Sequence, residues 1–332
     1  MWRYFAKQLD RLAIRSACGS VLPSPDGQSH AERAAEWLHR PDFFRPEVAA
    51  APLQFTGTKS FEFPSAVRTG SGGENLVRGH CDLAAGDWRH RPSVILLHGW
   101  NAELQYEYQL PYWSRLLARQ NVNGFRFDLP YHASRRPGAA EPIRNFFSGN
   151  LLHVARATHQ AMADIRALAL WLRAQGSPAV GLWGVSLGGW LGGMATAHQT
   201  EIDFAALLTP IVRMDRALSE LEFCAAIRGQ LRDLDRQFEA LNLTLHRPAC
   251  GPGNVLIVAS DYDLFVPLDT INALETSWNQ PEVWRLRHGH ISILFSKRVM
   301  RRIANWLAAK AQRHAVLTSI TGVTTVPACP NV

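Results

Sequence analysis

Residues 174–197 carry no charged side chain, and seven of residues 176–193 are glycine. So long an uncharged run either crosses a membrane or lies buried in a protein core. About 20 apolar residues suffice for a span, but so many glycines and the Ser177-Pro178 pair oppose one continuous helix. The run instead predicts a buried strand, a tight turn and a helix that starts directly after it. At the turn stands Gly184-Val185-Ser186-Leu187-Gly188, a G-x-S-x-G spacing. Glycine two residues to either side of the serine removes Cβ atoms that would collide with the neighbouring strand or helix. The helix N-terminus then directs unpaired N–H groups and a positive dipole end towards Ser186. Alone the spacing is common, so its meaning depends on what the rest of the chain places beside it.

The other periodicities alternate between strand and helix. Strand-like runs fall at residues 60–63, 75–80, 93–97, 124–127, 204–208, 255–259 and 282–286, with a Gly-Ser-Gly-Gly turn at 70–73. Helical patterns fall at 31–38, 111–120, 151–174, 268–275 and 291–313. The 93–97 run, Ser-Val-Ile-Leu-Leu, is apolar without alternation, as expected of a strand covered on both faces. This arrangement predicts the α/β class, with a doubly wound, mostly parallel sheet. A mostly helical stretch at about 213–247 reads as a small cap insert. Residues 1–57 read as an N-terminal helix and an extended wrap, 58–313 as the main domain, and 314–332 as a loose tail rich in Thr and Val.

In open parallel sheets the site lies beyond the carboxyl ends of the strands. His98-Gly99-Trp100 follows the 93–97 run. Ser260-Asp261-Tyr262-Asp263 follows 255–259, and Arg287-His288-Gly289-His290 follows 282–286. A serine, an acid and a histidine therefore each end a strand, in that chain order. A serine hydroxyl is a poor nucleophile until a neutral imidazole takes its proton, and a carboxylate holds that imidazole in the right tautomer. On residue type alone, Asp261 or Asp263 can be the acid and His288 or His290 the base. His98 reads as a structural hydrogen-bonder beneath its loop, and Asp128 as a residue that fixes its own loop. Asn101, Tyr131, His132 and Trp183 are candidates to line a substrate pocket, although aromatic side chains in a sheet protein mostly pack in the core.

Taken together, H-G-W at 98–100, G-V-S-L-G-G at 184–189, D-L-F-V-P at 263–267 and G-H-I-S at 289–292 resemble the α/β-hydrolase superfamily over about residues 60–313. The resemblance implies Ser186 as nucleophile, Asp263 as orienting acid and His290 as general base. It also implies the main-chain N–H groups of Trp100 and Leu187 as an oxyanion hole. A triad of this order implies a serine hydrolase acting on a carboxylic ester or thioester through an acyl-enzyme, without metal or organic cofactor. Residues 128–137, followed by the long helix and the serine turn, further resemble a branch that includes the eighteenth numbered animal α/β-hydrolase-domain protein. That finer likeness implies a lipid acyl ester as substrate. Two alternatives use the same fold: a lipid acyl hydrolase working at a membrane surface, and a non-catalytic lipid-binding protein.

Composition narrows the setting. The five cysteines are scattered without a C-x-x-C pair, and the 13 histidines show no H-E-x-x-H. This pattern predicts reduced thiols in a cytoplasmic protein rather than a disulfide framework or zinc site. The net charge of +7 admits an anionic partner, but the arginines are dispersed and no nucleic-acid motif stands out. Residues 1–16 form an amphipathic helical pattern. Trp2, Phe5, Leu9 and Leu12 make an apolar stripe, and Arg3, Lys7, Arg11 and Arg15 repeat every four residues. That helix is expected either to dock its stripe on the body or to contact an anionic membrane. Lys7, Asp10 and Arg11 break up the apolar core that a secretory signal needs.

Overall fold

The Ser93–Leu97 run is buried at every position, and the sheet is built outward from it. The computed structural model describes residues 1–21, 23, 27–69, 72–103, 105–138, 145–231 and 235–321. Among these, nine strands form one sheet: β1 (Gln54–Phe55), β2 (Ser60–Pro64), β3 (Leu76–Asp82), β4 (Ser93–Leu97), β5 (Asn123–Phe127), β6 (Val180–Val185), β7 (Phe204–Leu208), β8 (Val255–Ser260) and β9 (Glu282–Leu286). Their spatial order is β1-β2-β3-β5-β4-β6-β7-β8-β9. The pairs from β1 to β5 through β3 are antiparallel, and all pairs from β5 to β9 are parallel. The sheet is thus mostly parallel with an antiparallel end.

The helices are α1 (Trp2–Ala17), α2 (Gly27–Leu38), α3 (Leu110–Ala118), α4 (Leu151–Ala174), α5 (Leu187–His198), α6 (Met214–Glu220), α7 (Ala225–Leu231), α8 (Leu268–Ser277) and α9 (Lys297–Thr321). Helices cover both faces, which is why the central strands β4, β6, β7 and β8 carry no charged residue. Val94, Leu96, Trp183 and Val258 share a core with Trp113 of α3 and Ile303 and Leu307 of α9. Ile95, Leu97, Leu182 and Ile257 point the other way, into a core with Leu168 of α4 and Leu191 of α5. Each such fully buried aliphatic side chain contributes about 1.5–3 kcal/mol.

Between β7 and β8 the chain leaves the sheet and forms α6, α7 and short 3-10 turns. This excursion is closed at its base where Leu243 N–H donates to Val212 O at 2.9 Å.

Two expectations need correction. The chain after Arg313 is helical as far as Thr321. His314 stacks on Phe204 at 5.9 Å and Thr318 Oγ1 donates to Pro178 O, so tertiary contacts overcome the low helix propensity of the Thr- and Val-rich sequence. Residues 322–332 of the expected tail, and 70–71 of the expected turn, lie outside the described residues. Secondly, α1 docks on the body, but of its apolar stripe only Trp2 and Leu9 are partly engaged. It buries Ala6, Asp10 and Ala17, while Phe5 and Leu12 stay 51% and 66% exposed. Small residues allow the close approach that aromatic ones would prevent. No helix among the described residues is long and apolar enough to cross a membrane.

Candidate active site

The turn between β6 and α5 has the strained geometry that its glycines suggest. Ser186 sits at φ +51° and ψ −111°, a conformation rare for a residue with a side chain. A Cβ on Gly184 would lie 2.1 Å from Gly188 O, and one on Gly188 would lie 2.3 Å from Leu97 O. Only hydrogen fits at either position. The serine is thereby lifted off the end of the sheet and placed ahead of a helix N-terminus.

Two loops from neighbouring strands meet it. His290 Nε2 lies 2.9 Å from Ser186 Oγ, and His290 Nδ1 lies 2.8 Å from Asp263 Oδ2. For the serine hydroxyl to donate to Nε2, the imidazole proton must sit on Nδ1, where Asp263 accepts it. The other carboxylate oxygen, Oδ1, accepts from Phe265 N–H and Val266 N–H, both at 2.8 Å. The carboxylate is therefore fixed by its own loop before it meets the histidine. Burial pushes the His290 imidazole down, while the charge and hydrogen bond of Asp263 and the charge of Asp10 push it up. The sum lies above the ordinary histidine value of 6.5.

The loop after β4 closes the other side. Gly99 is close enough to the serine that a Cβ on it would lie 3.6 Å from Ser186 Cβ. Gln105 Oε1 accepts from Gly99 N–H at 2.8 Å and pins this loop. Leu129 N–H donates to His98 Nε2 at 3.0 Å, so Nδ1 carries the proton and donates to Gly99 O at 2.7 Å. His98 is the structural support that its position suggested, and Asp128 accepts from Ser134 N–H within its own loop. Leu187 stands at the first position of α5, where N–H groups have no intrahelical acceptor.

A cavity of about 290 Å³ opens on Ser186 and His290, and among the described residues no Asp, Glu, Lys or Arg lines it. Trp100, Phe147 and Phe265 form part of its wall; the segment 214–224 supplies Met214, Leu218 and Phe223. Ala13, Ser16 and Ala17 of α1 complete one side.

Of the four expected lining residues, only Asn101 borders this cavity. Trp183 is buried under α3, where it stacks on Trp113 at 5.0 Å; Val185, two residues nearer the end of β6 on the same face, borders the cavity instead. Tyr131 is buried and donates to Thr69 Oγ1. His132 is buried edge-on against His98 at 4.8 Å, and burial lowers its imidazole well below the ordinary value. Tyr131 packs edge-on to His153 and His132 packs against His98, and neither borders the pocket. Sequence reasoning passed over Gln105, Phe223 and Asp10. Gln105 and Phe223 carry no motif. Asp10 does have a signal: an isolated acid in a basic helix, flanked at helical spacing by Ala6, Ala13 and Ala17.

Residues 94–329 match the profile of the alpha/beta hydrolase family. No curated protein matches the sequence. Among solved structures, an acetyl xylan esterase from Paenibacillus sp. R4 is 14% identical with a TM-score of 0.56, covering 88% of this chain and 98% of its own. Est1E from Butyrivibrio proteoclasticus is 14% identical with a TM-score of 0.51, covering 71% of this chain and 95% of its own. The esterase Pf2001 from Pyrococcus furiosus is 16% identical with a TM-score of 0.51, covering 80% of this chain and 98% of its own. At these identities the likeness is one of fold, and it singles out no branch of the family.

Proposed function

The chain belongs to the alpha/beta hydrolase family, and from that premise we propose that it is a serine hydrolase cleaving an apolar carboxylic ester or thioester through an acyl-enzyme. The observation that carries this reading is the hydrogen-bonded chain Ser186–His290–Asp263 at the mouth of an uncharged cavity. His290 Nε2 takes the Ser186 proton as Oγ attacks the substrate carbonyl. The oxyanion of the tetrahedral intermediate is held by the N–H groups of Leu187 and Trp100, each worth about 3–4 kcal/mol in comparable sites. Collapse expels the alkoxide or thiolate, which takes the proton from His290. Water, deprotonated in turn by His290, then attacks the acyl carbon, and the second collapse releases the acid and returns the proton to Ser186. The Asp263 carboxylate, hydrogen-bonded to Nδ1, stabilises the imidazolium. The esterase names of structural neighbours agree with this chemistry. A fluorophosphonate probe tests it: an adduct mapped to Ser186 in the folded protein is expected, and a folded protein that takes no adduct there overturns the reading.

A second reading sharpens the substrate to a membrane lipid ester, and one observation favours it. Tyr4, Phe5 and Leu12 of α1 are 70%, 51% and 66% exposed, as is Phe295 at 69%, while Ala13, Ser16 and Ala17 of the same helix line the cavity. Exposed apolar side chains set among Arg3, Lys7, Arg11 and Arg15 suit an anionic lipid surface. The resemblance of residues 128–137 to a branch acting on lipid acyl esters supports the same reading. Co-sedimentation with phosphatidylserine vesicles is expected for the wild type and weakened in Phe5→Ser/Leu12→Ser. Equal binding of the two proteins, or none by either, dismisses the membrane role.

A further inference from the structure

Asp10 is the buried acid of an otherwise basic helix, 0% exposed. It makes its hydrogen bonds with parts of the chain more than 250 positions away. Its Oδ2 accepts from Leu264 N–H at 3.1 Å and from His290 N–H at 3.0 Å, and its Oδ1 accepts from Ile291 N–H at 3.0 Å. Leu264 follows Asp263 directly, and Ile291 follows His290 directly. One carboxylate therefore ties together the two loops that hold the acid and the base. The helix is seated for this contact. A Cβ on Gly289 would lie 2.9 Å from both Ala6 O and Asp10 Oδ1, so glycine there admits α1. The indole N–H of Trp2, the first residue of the same helix, donates to Arg287 O at 2.6 Å.

We propose that Asp10 is a positioning residue for the reaction: it sets the spacing between the Asp263 and His290 loops, which makes the N-terminal helix part of the catalytic apparatus. This rests on the reading of Ser186, His290 and Asp263 as the reacting groups. Three main-chain donors on the two loops share this one acceptor group, a charged brace added to the Tyr262 N–H bond to His288 O that also joins them. The carboxylate also adds a second negative charge near the imidazole. The charged groups acting on His290 are Asp263 from the loop after β8 and Asp10 from α1, while His288 of its own loop packs edge-on to Trp2. Of these, Asp263 and Asp10 raise the proton affinity of His290.

Asp10→Asn keeps the shape, loses the charge and cannot accept all three bonds, because its NH₂ group faces N–H donors. Its kcat on a p-nitrophenyl ester is expected to fall about 10- to 100-fold with KM within about twofold. The acid limb of its kcat/KM profile is expected to move to lower pH. Asp10→Glu keeps the charge but displaces the loops, so it should lose kcat with the limb little moved. Wild-type kcat and an unmoved limb in folded Asp10→Asn would overturn the proposal, as would loss of folding in both variants, which would assign Asp10 to stability alone. Fluorophosphonate labelling of the wild type at Ser186 keeps the underlying reading separate: labelling there with an unaffected Asp10→Asn enzyme refutes Asp10 and leaves the reacting groups standing.

Discussion

The ring of Trp100 stacks on that of Phe223, with centroids 4.7 Å apart and planes 26° from parallel. Trp100 belongs to the loop after β4 that borders Ser186, and Phe223 to the excursion between β7 and β8. The stack therefore couples the loop beside Ser186 to the cavity roof that the excursion supplies. Phe223→Ala removes one partner of an aromatic pair worth about 0.5–1.5 kcal/mol beyond its buried area. The expected result is a fall of about 2- to 12-fold in kcat/KM on apolar p-nitrophenyl esters. An unchanged kcat/KM in a folded variant would show that the roof does not steady the loop.

The pH dependence follows from His290. As the proposed general base it must be neutral, and its proton affinity is raised above the ordinary histidine value, burial being outweighed by Asp263 and Asp10. Activity is thus lost as pH falls through the raised value and gained as pH rises through it. The kcat/KM profile on a p-nitrophenyl ester should rise with a midpoint above about 6.5, the unperturbed histidine value. A midpoint below that would place the base elsewhere.

Arg135 and Asp164 form an ion pair at 2.8 Å with both side chains 0% exposed. The pair holds the loop after β5 on α4, and Ser65 Oγ donates to the other Asp164 oxygen at 2.6 Å. Arg135→Met leaves a buried carboxylate without its cation, which costs about 3–5 kcal/mol. Urea unfolding should show that loss, and Arg135→Met/Asp164→Leu should recover part of it. A single variant as stable as wild type would mean that the pair contributes nothing net.

How much of this was legible beforehand depends on what decided each feature. The strands at 93–97, 204–208 and 282–286 and the helix at 151–174 were readable to the residue, because local pattern and burial agree there. The meeting of Ser186 with a histidine after β9 was legible from chain order and from the rule that sites lie at strand ends, and the choice of His290 over His288 came from the family resemblance. Depth and facing were not legible. Trp183 packs on Trp113 of α3 while Val185 on the same face of β6 reaches the cavity, so depth along the strand decides. Which side of α1 packs depends on the acceptor that two distant loops require. An amphipathic stripe foretells burial only when hydrophobic contact decides the docking; here small residues and one carboxylate decide it. The helical residues 314–321 were misread for a related reason, since contacts with Phe204 and Pro178 outweigh local propensity.

The most direct measurement is the hydrolysis of a graded series of p-nitrophenyl esters by wild type and Ser186→Ala, with far-UV circular dichroism on both. The predicted result is cleavage by the wild type, a loss of at least about 10³-fold in kcat for Ser186→Ala, and matching spectra. A folded Ser186→Ala protein that cleaves these esters as fast as wild type would contradict the assignment of Ser186 as nucleophile.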